Sequence, residues 1–253
     1  MFEPAILATV FATLFIAGFV KGIVGLGLPT VSLALFTLAF DLKTAMAVFI
    51  VPSLVTNLYQ AAMGGHAKTI MRKHWPFFLS AGLFIPIGVA VSGVFKSETL
   101  SVLLGAALVF YAVAGLASSN PRIPPERERN VGLALGAING VLTGLTGSFV
   151  FPGVAFLRSV GLDRDALIQA MGILFTISTI VLAIALERAD ALENELIVLS
   201  CVSTVPALFG MALGAKVRDR LTELVFRRFF FFAILVLGCA LIGESVFTPS
   251  LGD

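Results

Sequence analysis

The chain has 253 residues, of which 58% are hydrophobic and 13% charged, with a net charge of +2 and a mean hydropathy of +1.02. Soluble domains run at about 45–50% apolar and about 25% charged, so most of this chain is built to face lipid. The small net charge gives no footing for nucleic acid, and the long apolar runs do not fit the ten-residue alternating strands of an outer-membrane barrel.

Apolar runs cover 4–40, 44–63, 75–95, 99–117, 131–157, 166–186, 196–215 and 229–247. Nearly all reach the roughly 20 residues that a helical span requires. The opening stretch "MFEPAILATVFATLF" lacks a basic leader region and a small-residue cleavage pattern, which predicts a retained first helix. The first run is interrupted at "GFVKGIVGLGLPTV", residues 18–31, which holds four glycines, Pro29 and Lys21. Glycine tolerates positive φ, and proline fits the first turn of a new helix, where its missing N–H costs nothing. The pattern predicts a helix that breaks at "GLGLP" and restarts over 29–39.

The fifth run repeats this grammar in "GAINGVLTGLTGSFVFPGVAF", with a second short helix predicted over 148–157. Gly18 and Gly22 correspond to Gly136 and Gly140, Lys21 to Asn139, Pro29 to Pro152, Asp41 to Asp163 and Pro86 to Pro206. The chain therefore reads as a tandem duplication, with residues 1–117 as the first membrane repeat and 131–253 as the second. A polar, proline-rich linker over 118–130 joins them.

Basic residues accumulate on the cytoplasmic side of a membrane. If all eight runs cross, opposite sides collect seven and nine Lys and Arg, which is no bias. If each broken run enters and leaves on one side, that side receives thirteen. They are Lys68, Arg72, Lys73, Arg122, Arg127, Arg129, Arg158, Arg164, Lys216, Arg218, Arg220, Arg227 and Arg228. The other side keeps Lys43, Lys96 and Arg188. Three crossings per copy is odd, so the copies point oppositely. The expected fold is an all-α membrane protein of two inverted-topology repeats, each a broken or re-entrant helical hairpin followed by three transmembrane helices. Both termini are predicted periplasmic and the linker cytoplasmic.

Irregular backbone at membrane depth survives only where protein or a water-filled cavity covers it. The helix N-termini at the breaks offer free N–H groups and positive dipole ends, an arrangement suited to an anion. Gly25, Gly27 and Pro29 belong to the first break; Gly147 and Ser148 belong to the second, with Thr143 and Thr146 just before it. The alternative for the glycines, above all Gly18, Gly22, Gly136 and Gly140, is close helix packing. Lys21 is the charged residue deep in an apolar run, and two readings are open: contact with substrate or gate, or snorkelling to the interface. Asn139, its counterpart, is polar too. Asn57, Gln60 and Gln169 add amides at similar depth.

No Asp or Glu lies deep in a run, so a carboxylate proton relay has no support, and amides, hydroxyls and one lysine suit an anion better than a cation. No histidine or acidic pair is placed for intramembrane catalysis, no metal spacing is present, and no cofactor is implied. His66 and His74 flank a basic loop and are expected in solvent. Cys201 and Cys239 are expected in helix cores.

At these residues the sequence resembles the sulfite exporter TauE/SafE family of small-anion permeases. The resemblance rests on "GFVKGIVGLGLPTVSLALF" and "GAINGVLTGLTGSFVFPGVAFL", supported by "GVAVSGVFKSETLSVLLGAALVFYAV" and "GMALGAKVRDRLTELVFRRFFFFAIL", and covers essentially the whole chain. It implies a bacterial inner-membrane permease whose partners are the bilayer and a small anion, such as sulfite, sulfoacetate or a related organosulfur or carboxylate anion, commonly moved outward. Import of a similar anion, or a non-transporting role in membrane assembly, are the alternatives.

Overall fold

A computed structural model describes residues 3–117, 122–218 and 223–247. The described residues form ten helices and no strand. The first five are α1 (Pro4–Val24), α2 (Leu28–Phe36), α3 (Leu42–Ala62), α4 (Ala67–Ser92) and α5 (Ser97–Leu116). The second five are α6 (Pro125–Thr146), α7 (Gly153–Ser159), α8 (Arg164–Arg188), α9 (Asn194–Arg218) and α10 (Glu223–Phe247). Each half thus runs long helix, short helix, then three long helices.

Both breaks form where the glycines predict them. Gly25 ends α1 at φ +78° with its N–H on Lys21 O at 2.8 Å, and Gly147 ends α6 at φ +71° with its N–H on Thr143 O at 2.7 Å. Left-handed backbone of this kind is nearly free for glycine and costly for other residues. The short helices differ from expectation: α2 stops at Phe36, and α7 begins only at Gly153. In "SFVFP" the chain stays irregular because Phe149 and Val150 turn into the core, with Phe149 wedged between Phe49 at 5.8 Å and Phe175 at 6.1 Å. Asp41 and Asp163 start α3 and α8 alike. Asp41 accepts from the N–H groups of Lys43 and Thr44, and Asp163 from that of Ala166 at 2.8 Å. Carboxylate caps of this kind satisfy orphan N–H donors in the first turn.

Among the described residues six helices are long and apolar enough to cross a membrane: α1, α3, α4, α5, α8 and α9, the last over Asn194–Val217. Helix α1, at 21 residues, rises about 31 Å at 1.5 Å per residue, so the first break follows a full-length helix rather than dividing it in half. The linker is helical from Pro125 onward, its Glu126 and Glu128 lying in the favourable first turn of α6.

Helices pair mainly across the halves. Helix α1 packs on α9 and α6 on α4, so the leading helix of each half meets the same element of the other; α3 packs on α8 and α5 on α10. Small residues permit this closeness. A Cβ on Gly18 or Gly22 would strike the Ala207 or Met211 carbonyl of α9, and a Cβ on Gly140 or Gly144 would strike Ala81 or Ile85 of α4. For Gly18, Gly22, Gly136 and Gly140, helix packing is the structural role. Proline adds a second device. Pro52 cannot donate to Val48 O, and the Ser200 hydroxyl of α9 takes that carbonyl at 2.8 Å, so the freed acceptor stays satisfied inside the bundle.

Two expectations need correction. His74 is 3% exposed, not solvated; it sits at a non-helical point of α4 (φ −114°, ψ 16°), two residues before Pro76, with its ring edge-on to Phe156 at 6.1 Å. Cys201 and Cys239 lie on exposed outer faces rather than in the core.

Candidate functional site

Lys21 is buried, at 3% exposure, one turn before the first break. Its ammonium does not reach outward. Nζ donates to Thr56 Oγ1 at 3.1 Å and to Asn57 Oδ1, both one helix away on α3. Snorkelling is thereby replaced by inward bonding. Thr56 can accept because its own hydroxyl proton goes back along α3 to Pro52 O at 2.8 Å, and Asn57 Nδ2 donates onward to Thr179 Oγ1 at 3.3 Å on α8. These oxygens are neutral, and a buried ammonium without a carboxylate costs several kcal/mol of desolvation that neutral acceptors offset only in part. Two of its three donors are accounted for, which leaves one for a guest.

A cavity of about 640 Å³ opens beside this lysine. Lys21, Gly22 and Gly25 line it, as do Thr56, Tyr59 and Gln60 of α3 with the capping Met63, and Leu208, Met211 and Ala215 of α9. Ile168 and the exposed Asp165 of α8 complete the lining. The walls are chiefly apolar, with few polar groups converging, which is the usual make-up of a small-molecule site.

Two amides lock α3 to α8 beneath the cavity. Gln60 Nε2 donates to Ile168 O at 2.8 Å, and Gln169 Nε2 donates to Ala61 O at 2.8 Å, a reciprocal pair. Gln169 Oε1 also accepts from His66 N–H at 2.6 Å, tying down the loop after α3. Gln60 Oε1 is buried without a hydrogen-bond partner and belongs to the cavity wall.

The residues named from sequence fall into two places. Lys21, Gly25 and Gln60 border the cavity, while Asn57 and Gln169 stand behind them as supports. Gly27, at φ +116°, lies against Val20 and Phe230, and Pro29 lies in the first turn of α2; neither borders the cavity. The second break is also elsewhere, and its polar groups serve its own backbone. Thr143 Oγ1 donates to Ser148 O at 3.1 Å, Thr146 Oγ1 donates to Leu142 O and accepts from Ser148 N–H, and Gly147 packs on Met46 and Leu33. Asn139 Oδ1 accepts from Gly153 N–H at 2.9 Å, so the first donor of α7 is already occupied. Asn139 Nδ2 and the Ser178 hydroxyl remain buried without partners. Among the cavity-lining residues that sequence reasoning passed over are Tyr59, Met63, Leu208, Met211 and Ala215. Those on α9 carry no polar mark; the small-residue stripe Gly210, Gly214, Ala215 was their available signal, since it lets α1 approach.

No curated protein and no solved structure gives a significant match. The profile of the sulfite exporter TauE/SafE family matches residues 10–241. That family consists of membrane transporters, not enzymes, in keeping with an all-helical chain that carries six span-length apolar helices and a buried lysine beside a cavity. A match from the first turns of α1 almost to the end of α10 leaves one conclusion: the chain belongs to the sulfite exporter TauE/SafE family.

Proposed function

We propose that the protein is a permease for small anions, moving sulfite, sulfoacetate or a related organosulfur or carboxylate anion outward across a bacterial inner membrane. The observation that carries this reading is the Lys21 ammonium, held inside the bundle by neutral oxygens of Thr56 and Asn57 at the wall of a 640 Å³ cavity. An anion entering there supplies the missing counter-charge, whereas a cation meets repulsion. Gln60, with the apolar faces of α3 and α9, would shape the pocket.

In this reading the two halves are inverted repeats with both termini outside. The exchange of partners, α1 with α9 and α6 with α4, supports a two-fold relation between them. Alternating access then comes from rocking one half against the other. An inside-negative potential drives an anion out at about 2.3 kcal/mol per charge per 100 mV, so no coupling ion is needed for export.

Calorimetric titration of purified protein with sulfite, sulfoacetate, acetate and chloride tests the reading. Saturable binding of at least one sulfur or carboxylate anion is expected. Absence of binding across the set contradicts it.

A further inference from the structure

A second cavity, of about 410 Å³, lies among α5, α6 and α7, remote from Lys21. Its polar side holds three guanidinium groups, Arg122 before α6, Arg127 in its first turn, and Arg158 in the last turn of α7. Among the described residues no carboxylate lines it. Tyr111, only 5% exposed, also lines the cavity, and its hydroxyl is buried without a hydrogen-bond partner. The rest of its lining is chiefly apolar, with Val131 and Leu135 one and two turns along α6 from Arg127, and Phe151 and Val154 ahead of Arg158. Phe110, 57% exposed on the bundle surface, continues that apolar lining at 4.5 Å from the Phe151 ring.

The cavity is built rather than incidental. Ile123 N–H donates to Ser159 O at 3.0 Å, which pins the segment carrying Arg122 over the end of α7 beside Arg158. Arg158 rests over the Phe231 ring at 6.0 Å, and the Tyr111 ring meets the same Phe231 at 5.2 Å, so one aromatic ring from α10 positions the cation and the phenol together. Guanidinium groups match the oxygens of a phosphate in paired hydrogen bonds, and a neutral phenol adds one more donor. Three cations and a buried, unpartnered phenol, joined to apolar residues that run on to the exposed Phe110, describe an amphiphile, with its anionic head at the arginines and its chains along Phe151 and Phe110. Basic pockets between membrane helices are a known route to anionic-lipid binding.

We infer that this cavity binds the phosphodiester headgroup of an anionic phospholipid, independently of the Lys21 site. The test is thermal unfolding of the purified full chain in neutral detergent with added phosphatidylglycerol or phosphatidylcholine. Phosphatidylglycerol is expected to raise the unfolding temperature saturably by several degrees beyond phosphatidylcholine at equal mole fraction. The variant carrying Arg122→Gln, Arg127→Gln and Arg158→Gln should lose that difference, while Lys68→Gln with Arg72→Gln, which removes exposed charge elsewhere, should retain it. Tyr111→Phe keeps the ring on Phe231 and serves if the triple variant does not fold. It should bind phosphatidylglycerol about tenfold more weakly, the scale of one hydrogen bond to a charged group. Equal stabilisation by the two lipids, an unchanged response in these variants, or a full shift from inorganic phosphate alone would overturn the assignment.

Discussion

Asn57 of α3 donates its amide to Thr179 of α8 at 3.3 Å, across 122 positions of chain, the same separation that relates the capping residues Asp41 and Asp163. Under the proposed two-fold relation these two residues are counterparts, and a residue that meets its own counterpart lies beside the axis. Lys21 bonds to the same Asn57, so the buried charge sits next to the line about which the halves would rock. Residues 18–22 and 136–140 share their packing glycines, yet Asn139 stands where symmetry would place a second lysine. Under that relation a single cation would serve both halves.

The first prediction separates function from stability at Lys21. A buried charge with neutral partners adds little to stability, and replacing such a group by an apolar one of similar volume is often neutral or favourable. Lys21→Met is expected to hold or raise the unfolding temperature while transport falls at least about tenfold, the rate equivalent of about 1.4 kcal/mol. Thermal unfolding and flux measured on the same preparation check both halves of the statement.

Asn57→Asp places a carboxylate within bonding distance of the ammonium. The resulting ion pair would cancel the charge offered to substrate, so anion binding should weaken strongly with the fold retained. Asn57→Ala instead leaves the ammonium with one fewer acceptor and should destabilise by about 1–3 kcal/mol. Calorimetry with the best-binding anion, beside denaturation curves, distinguishes these outcomes.

Glycine substitutions should follow contact rather than depth. A Cβ on Gly22 would lie 2.8 Å from Ala215 N of α9, and one on Gly140 would lie 2.9 Å from Phe84 Cβ of α4. Gly22→Leu and Gly140→Leu are expected to cost at least about 1–3 kcal/mol by forcing these helices apart. Gly243, with nothing within 4 Å in α10, should accept alanine with a gain of up to about 1 kcal/mol from helix propensity. Folded yield in detergent ranks the three.

Topology is open to cysteine labelling in a background where Cys201 and Cys239 are replaced by serine. Lys68→Cys and Glu193→Cys occupy exposed positions on the two sides assigned by basic-residue bias. A membrane-impermeant maleimide added outside intact cells should modify the residue-193 variant and spare the residue-68 variant. The reverse pattern would invert the assignment.

The breaks were readable because glycine and proline act locally: Gly25, Gly27 and Gly147 take the positive φ values that their sequence context predicts. Asp41 and Asp163 read from sequence only as counterparts; the structure shows them as caps that reach no farther than three residues. What stayed hidden was long-range. Nothing in the sequence says that Lys21 turns toward Thr56 and Asn57, 35 and 36 residues away, rather than toward the interface. Nor does polarity distinguish the two breaks. Thr143 and Thr146 read as substrate donors, yet Thr143 donates to the unwound Ser148 carbonyl and Thr146 donates back to Leu142 O of its own helix, the local bond that hydroxyls readily make. His74 read as solvated because basic residues surround it, whereas a kink ahead of Pro76 turns it inward.

The most direct test of the central claim is sulfite efflux from vesicles containing the purified protein under an imposed potential, negative inside. The account predicts voltage-driven efflux that collapses in Lys21→Met. Flux that is absent at every potential, or equal in Lys21→Met and the unaltered protein, would contradict it.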